Sequence, residues 1–266
     1  MAGHSKWSKI KRSKGALDVK RGTLFSKLSK EITVAAKMGG GDSALNPRLR
    51  SAVQAARAQN MPNDKIDRAI KKGTGELESQ AFEELVYEGY APGGVALLIE
   101  AVTDNRNRTA ADLRLIFTKF HGNLATSGSV AYLFHKKGQL IVPATALGAI
   151  SPATREDRML ELMLEAGAEE FVLETGQDEQ GEPSEHYLVT TAPDRLYATG
   201  ETLKSLGVVT ENLKLTYFPE ITVKVGDETT ASQILRLCEA LDDCDDVQNV
   251  HANFDISEEW LAKLSA

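Results

Sequence analysis

The sequence predicts an α+β fold in which an N-terminal three-helix bundle is followed by two ferredoxin-like α/β domains, the third inserted into the second. Apolar residues recur at helical spacing in three segments before Gly75, whereas strands and helices alternate after it. The segment from 136 to 208 also has the order of a split β-α-β unit. The predicted domains are residues 1–77, residues 78–135 together with 209–266, and the inserted residues 136–208.

The first predicted helix begins at Leu24 and has one apolar and one cationic face. The apolar face contains Leu24, Phe25, Leu28, Ile32 and Ala35, and the cationic face contains Lys27, Lys30 and Lys37. Residues 39–41, three glycines, end the helix. They do not form a P-loop, because they follow a helix and lack the Lys-Ser or Lys-Thr ending of that motif. We expect the cationic face to point to solvent.

The second and third predicted helices repeat this design. Asn46 caps the second helix and Pro47 begins it, and the third helix opens at Pro62 and ends at Gly73. We expect both helices to turn cations outward: Arg50 and Arg57 from the second, and Lys65, Arg68, Lys71 and Lys72 from the third. Three helices of this kind would present several positive charges on one surface.

After Gly75 the pattern becomes that of a sheet with helices. The run from Val95 to Val102 is continuously apolar, which is typical of a buried central strand. The neighbouring predicted elements are a strand Phe82–Tyr90, a helix through Leu113, Ile116, Phe117 and Phe120, and a strand Val130–His135. Strands near 213–218 and 247–254, on either side of a helix through Ile234 and Leu241, are expected to complete this sheet.

The inserted segment has its own alternation of strands and helices. Its predicted elements are a strand Gln139–Val142, a helix through Met159, Leu162, Met163 and Ala166, strands Glu170–Leu173 and Tyr187–Thr191, and a helix that ends near Leu206. This order of elements resembles a split β-α-β unit.

Charge is segregated along the chain. Residues 1–75 contain 17 Lys and Arg against 5 Asp and Glu, a net charge of +12, and the remainder contains 14 against 33, a net charge of −19. A basic end of this kind attracts a polyanion, and the acidic remainder limits indiscriminate binding. The alternative is that the positive end docks on the protein's own negative part.

Phosphate contacts need long cationic side chains spread over a surface. The candidates in the basic third are Lys6, Trp7, Lys9, Lys11, Arg12, Lys14, Lys20, Arg21, Lys27, Lys30, Arg48, Arg50, Arg57, Lys65, Arg68, Lys71 and Lys72. Trp7 either stacks on a base or anchors the arm. Arg106 and Arg108 open a helix, where cations oppose the helix dipole and so indicate a nearby anion. That anion is a phosphate or a carboxylate elsewhere in the chain.

Other chemistry has little support in the sequence. The five histidines lie far apart, and Cys238 and Cys244 match no zinc pattern, so we predict a non-enzymatic protein without a metal or cofactor. The acidic run 242–246 is interpreted as a solvated loop. No apolar stretch is long enough to span a membrane, and the basic N-terminus lacks the amphipathic helix of a mitochondrial presequence, so a cytoplasmic location is expected.

Specific motifs run along nearly the whole chain. They are GHSKW at 3–7, DVKRG at 18–22, GGGD at 39–42, NPRLR at 46–50, NMP at 60–62, RAIKKG at 68–73, YEGYAPGGVA at 87–96, TDNRNRT at 103–109 and GSVAYLF at 128–134. With these motifs the sequence resembles the YebC/PmpR family of probable transcriptional regulators.

The resemblance implies three domains, a cytoplasmic location and DNA binding linked to transcriptional control. It also implies an alternative, because mitochondrial relatives are translational activators and a role at the ribosome has been proposed for bacterial members. The partner is therefore expected to be duplex DNA or, alternatively, ribosomal RNA, with possible contact of the acidic domains to the ribosome or the transcription machinery. No helix-turn-helix pattern supports base-specific readout.

Overall fold

The structure is a computed structural model that describes residues 21–78, 81–148, 151–177, 183–257, 259–260 and 264. The chain divides into two compact units, one formed by Met1–His135 with Phe218–Ala266 and the other by Lys136–Tyr217. The predicted α+β class is confirmed: a helical N-terminal region is followed by two parts that each contain a four-stranded sheet.

Three helices form the N-terminal part of the first unit: α1 (Arg21–Gly39), α2 (Pro47–Ala58) and α3 (Asn63–Thr74). Asn46 caps α2 as predicted, since its side-chain oxygen accepts a hydrogen bond from the Leu49 amide at 3.0 Å. Its side-chain nitrogen donates to the carbonyl oxygens of Ala35 and Gly40 at 2.8 and 2.9 Å. One side chain therefore joins the end of α1 to the start of α2. The three helices enclose an apolar cluster that includes Ile32, Leu49, Val53, Ile66 and Ala69.

The elements that follow alternate between strands and helices. The first are β1 (Glu83–Ala91), β2 (Val95–Thr103), α4 (Arg106–Lys119), β3 (Asn123–Leu124) and β4 (Phe134–Pro143). The second unit continues with α5 (Pro152–Ala166), β5 (Glu170–Gln177), β6 (Pro183–Thr191), α6 (Leu196–Ser205) and β7 (Glu211–Pro219). The chain then returns through β8 (Val223–Lys224), α7 (Glu228–Asp242), β9 (Val247–Ala252) and β10 (Phe254–Asp255).

The sheet of the first unit has the strand order β3–β1–β2–β9. β1 and β2 pair along their whole length, from Glu83 opposite Thr103 to Ala91 opposite Val95, and β9 pairs antiparallel with β2. α4 and α7 cover one face of the sheet, where their side chains form a core with those of β2 and β9. This core includes Leu97, Ile99, Leu113, Phe117, Ile234, Leu237 and Val250.

The sheet of the second unit has the strand order β5–β6–β4–β7, which is the arrangement of a split β-α-β fold. β6 pairs antiparallel with both β4 and β5. The prediction for the strand near 213–218 is wrong in one respect, because β7 belongs to this sheet and not to the sheet that begins with β1. Sequence alternation identifies a strand but carries no information about which sheet it joins.

The strand predicted at 130–135 is also different in the structure. Residues 131–133 form a short 3-10 turn, and β4 begins at Phe134 and continues to Pro143 as one strand. The carboxylate of Glu88 on β1 explains the turn. It accepts hydrogen bonds from the amides of Gly128, Val130 and Ala131 at 2.6, 2.6 and 2.8 Å, and so takes the donors that a strand would use for pairing.

Candidate nucleic-acid interface

Asp246, in the loop between α7 and β9, is the centre of a buried polar cluster. One carboxylate oxygen accepts a hydrogen bond from Lys30 of α1 at 2.7 Å. The other accepts from Arg108 at 2.9 Å, Thr109 at 2.8 Å and Thr103 at 3.2 Å. Only 5% of the surface of Asp246 is exposed. The two cations are therefore held by a carboxylate of the same chain.

The electrostatics of this cluster keep the carboxylate ionised. Burial alone would raise the pKa of Asp246, but the hydrogen bonds from Lys30, Arg108 and Thr109 outweigh it and lower the pKa to about 2. The hydrogen bonds to Asp246 and Asp104 raise the pKa of Arg108. The interpretation of residues 242–246 as a solvated loop is wrong for Asp246, because the cations of α1 and α4 converge on it.

The cationic face of α1 does not point to solvent at Lys27 and Lys30. Lys27 donates to the carbonyl oxygen of Asp242, at the end of α7, where the helix dipole favours a positive charge. Lys30 donates to the carbonyl oxygen of Asp245 at 2.8 Å in addition to the Asp246 carboxylate. The prediction that Lys27 and Lys30 are phosphate ligands is therefore corrected. Both residues connect α1 to the sheet-containing part of the first unit.

Arg48 on α2 also forms ion pairs with carboxylates of the same chain. Its guanidinium lies 2.9 Å from a carboxylate oxygen of Glu31 and 2.6 Å from one of Glu84. Burial alone would lower the pKa of Arg48, but the hydrogen bonds to Glu84 and Glu31 raise it. Arg50 donates to the carbonyl oxygens of Ser43 and Ala44 at 3.2 and 3.4 Å. Arg48 therefore connects α2 to α1 and to β1, and Arg50 holds the loop before α2.

The two arginines in the first turn of α4 differ in their surroundings. Arg108 bridges Asp104 at 2.7 Å and Asp246, so the anion is a carboxylate of the chain. Asn105 caps α4 by accepting a hydrogen bond from the Arg108 amide at 3.1 Å. Arg106 differs, since 69% of its side chain is exposed and its nearest carboxylate, of Glu83, is 3.8 Å away.

The cations of α3 form an open surface. Lys65, Arg68 and Lys71 are exposed, and within the described part of the chain none of the three forms an ion pair. The ammonium of Lys65 lies 5.3 Å from the centre of the Phe25 ring. Lys72 is half-buried on the same helix. We call these four cations of α3 the α3 surface; Arg57, exposed at the end of α2, is a separate candidate.

A groove runs between α1 and α3 beside the α3 surface. Its lining residues are Gly22, Phe25, Ser26, Ser29, Met61, Lys65, Arg68, Ala69 and Lys72. The lining contains the apolar side chains of Phe25, Met61 and Ala69 together with three of the four α3 cations. Phe25 belongs to the apolar face predicted for α1, but its position beside Lys65 was not predicted, because helical periodicity does not reveal which helix faces meet.

Several candidates lie outside the described residues: Lys6, Trp7, Lys9, Lys11, Arg12, Lys14 and Lys20. Arg21 is the first residue of α1. Among the described residues, no group of three or more His, Cys, Asp or Glu side chains is placed to hold a metal ion. In the same residues, no helix is both long and apolar enough to cross a membrane. The absence of a metal and of a cofactor stays a prediction.

Comparison with known proteins identifies the family. Residues 5–76 match the TACO1/YebC protein N-terminal domain, and residues 82–254 match the TACO1/YebC second and third domain. Relatives named probable transcriptional regulatory protein include one from Rubrobacter xylanophilus, 52% identical over 266 residues, and one from Persephonella marina, 47% identical over 265 residues. In both comparisons the alignment covers 100% of each chain.

A solved structure has the same fold. The crystal structure of a conserved hypothetical protein from Aquifex aeolicus is 47% identical and superimposes with a TM-score of 0.80, covering 96% of this chain and 98% of the other. The family matches and the structural likeness extend through the helical region and both sheets. The chain belongs to the TACO1/YebC family.

Proposed function

We propose that the protein regulates gene expression by binding the phosphate backbone of duplex DNA through the α3 surface. One observation carries the proposal. The cations of α1 and α2 at Lys27, Lys30 and Arg48 are held by groups of the chain, whereas Lys65, Arg68 and Lys71 face solvent. Cations that remain exposed are available to phosphate. The names of the relatives, probable transcriptional regulatory protein, support a regulatory role.

The spacing on α3 suits a polyanion. Lys65 and Lys72 are seven residues apart and therefore lie on the same side of the helix, about 10 Å from one another along its axis. Arg68 lies between them, and all three line the groove beside α1. Duplex DNA carries about one negative charge per 1.7 Å of its axis, so a row of this length meets several phosphates.

The α3 helix also contains two carboxylates, which limit the strength of binding. Asp64 and Asp67 are exposed. The helical rotation of 100° per residue places Asp67 on the flank away from the groove and Asp64 beside Arg68, so three cations and one carboxylate lie on the groove side. The net positive charge of α3 is therefore concentrated on the groove side. The α3 surface contacts phosphates and so orients the protein on the duplex. Phosphate contacts of this kind do not provide base-specific recognition.

The test compares two triple variants of the full chain. Lys65→Ala, Arg68→Ala and Lys71→Ala together remove three exposed cations from the α3 surface. The control, Arg114→Ala, Lys204→Ala and Arg236→Ala together, removes the same charge from exposed helical positions elsewhere. Binding to a fluorescent DNA duplex is measured by anisotropy over a range of salt concentrations, with an RNA duplex of the same length in parallel.

We expect the α3 variant to bind DNA at least about tenfold more weakly than the control variant. If three phosphate contacts are lost, the slope of log K against log salt should become less steep by about 2.7. Equal binding by the two triple variants would contradict the assignment of the interface to α3. Tighter binding of the RNA duplex at equal salt would move the assignment from DNA to RNA.

A further inference from the structure

α5 in the second unit has apolar residues on two opposite faces. The inner face packs in the core of the unit through Met159, Leu162, Met163 and Ala166. On the outer face, Leu160 and Leu164 are 53% and 76% exposed. They are four residues apart, so their side chains are neighbours on the helix surface. We call this pair the α5 leucine stripe.

Carboxylates flank the stripe on both sides. At 100° per residue, Glu156 lies on one side of the two leucines, and Asp157, Glu161 and Glu165 lie on the other. All four are exposed. The two arginines of α5 neutralise only part of this rim. Arg155 contacts Glu185, which is not one of the four rim carboxylates, at 2.8 Å, and Arg158 contacts one of them, Glu161, at 3.0 Å. The surface around the leucines is therefore apolar with an acidic rim.

The adjoining edge of the sheet also carries an exposed apolar side chain. β5 is an edge strand, and its Leu173 is 45% exposed. Leu173 pairs in register with Tyr187, whose side chain is in the core beneath α5 and α6. Leu173 therefore points to the side of the sheet that the helices cover. Exposed apolar residues on both the helix and the sheet edge are typical of an interaction surface.

The charges around the stripe favour some binding partners and disfavour others. A second copy of the chain, docked through the same surface in a two-fold contact, would bring the two acidic rims together. Nucleic acid and anionic lipid would be repelled by the carboxylates for the same reason. A helix with an apolar face and flanking Lys or Arg residues matches both the leucines and the rim. We propose that the α5 leucine stripe docks a basic amphipathic helix of a partner protein.

A designed peptide tests this chemistry with the full chain. The probe is a fluorescent peptide of roughly 14 residues, or four helical turns, with Leu on one face and Lys on the flanks; its control has Glu in place of Lys. Binding is measured by anisotropy for the natural chain and for the double variant Leu160→Gln with Leu164→Gln. Gln is a good helix former, so α5 is retained in that variant. The protein control is Leu115→Gln, which alters a leucine on α4 whose exposure, 70%, lies between those of Leu160 and Leu164.

We expect the Lys peptide to bind the natural chain at least about tenfold more tightly than it binds the double variant, which is about 1.4 kcal/mol. Leu115→Gln should bind like the natural chain, and the Glu peptide should bind weakly to all three. Equal binding of the Lys peptide to the natural chain and the double variant would overturn the proposal, as would equal binding of the two peptides.

A photocrosslinker placed at Leu164 in cells identifies the natural occupant, with the same crosslinker at Leu115 as control. The expected product at Leu164 is a peptide of another protein in which Lys or Arg residues flank an apolar helix face. Adducts to a second copy of this chain or to nucleic acid would overturn the proposal. So would a yield at Leu164 no greater than at Leu115. None of these outcomes depends on whether α3 binds DNA, so this proposal and the proposed function can fail separately.

Discussion

The ammonium group of Lys30 lies 2.7 Å from the carboxylate of Asp246, and both side chains are almost completely buried. This ion pair connects α1 to the loop before β9 in the first unit. It also joins a residue of the basic N-terminal segment to one of the acidic remainder. Part of the segregated charge is used inside the protein, whereas Lys65, Arg68 and Lys71 of α3 face solvent.

Replacement of Asp246 by Asn is expected to destabilise the protein by about 3 kcal/mol, because Lys30 would lose the carboxylate that compensates its charge and Arg108 would keep only Asp104. The free energy of unfolding is measured by urea denaturation. Asp243→Asn is the matched control, since Asp243 is exposed three residues away and its replacement should change stability by less than about 0.5 kcal/mol. Similar stabilities for the two variants would contradict the role assigned to Asp246.

The same carboxylate should make stability depend on pH at the acid end. The pKa of Asp246 is lowered from 3.8 to about 2 in the folded state, so the unfolded chain takes up its proton first as pH falls. The contribution to stability, about 2 kcal/mol, is complete above pH 4 and is lost as pH falls from about 4 to about 2.

The measurement is a series of urea denaturations of the natural chain and Asp246→Asn between neutral pH and about pH 3. The stability difference between the two proteins should shrink by about 1 kcal/mol over this range. A difference that stays constant would mean that the carboxylate is not held in its ionised form by Lys30 and Arg108.

The ion pair between Lys30 and Asp246 is an example of a contact that the sequence does not predict. The three N-terminal helices follow from local periodicity, and the Asn46 cap follows from residues next to each other in the chain. Lys30 and Asp246 are 216 positions apart, and a solvated face and a docked face have the same sequence pattern. The sequence therefore predicted which residues of α1 are cationic but not which of them reach solvent.

The same distinction applies to the sheets. The split β-α-β order of residues 136–208 was predicted from the alternation of its strands and helices, whereas the membership of β7 in this sheet depends on its pairing with β4. The turn at 131–133 depends on Glu88, more than 40 residues earlier. In both cases a contact between distant positions determines the local conformation.

Replacement of Glu88 by Gln is expected to loosen the turn at residues 128–131. Burial alone would raise the pKa of Glu88, but the amides of Val130, Gly128 and Ala131 outweigh it and lower the pKa, so the carboxylate is ionised and accepts all three hydrogen bonds. A Gln side chain has one acceptor oxygen and a nitrogen that faces these donors, so a loss of about 2 kcal/mol is expected.

Hydrogen exchange of the Val130 and Ala131 amides is the specific measurement, since both should exchange faster in Glu88→Gln. The control is Glu83→Gln on the same strand, where the exposed contact to Arg106 at 3.8 Å contributes little. Unchanged exchange at Val130 would show that the carboxylate does not hold the turn.

Arg48 should not be replaceable by Lys. Its guanidinium contacts the carboxylates of Glu31 and Glu84 at the same time, and a single ammonium group cannot reproduce both contacts. We expect Arg48→Lys to lower the free energy of unfolding by about 1 kcal/mol. Arg57→Lys, an exposed position on the same helix, is the control and should be neutral. If both variants are equally stable, the two carboxylates do not depend on the guanidinium.

Two single substitutions separate the two uses of positive charge in the N-terminal helices. Lys30→Met removes a buried cation from α1 and leaves Asp246 with one fewer donor, so it should lower stability by about 2 kcal/mol while DNA affinity stays within about twofold. Lys71→Met removes an exposed cation from α3, so it should leave stability within about 0.5 kcal/mol and weaken DNA binding. Urea denaturation and anisotropy are performed on the same preparations of both variants. Because each variant loses one positive charge and gains the same side chain, net charge cannot account for opposite effects. A parallel loss of binding in both variants would mean that Lys30 and Lys71 act on DNA together and that the division between a docking face and a binding face is wrong.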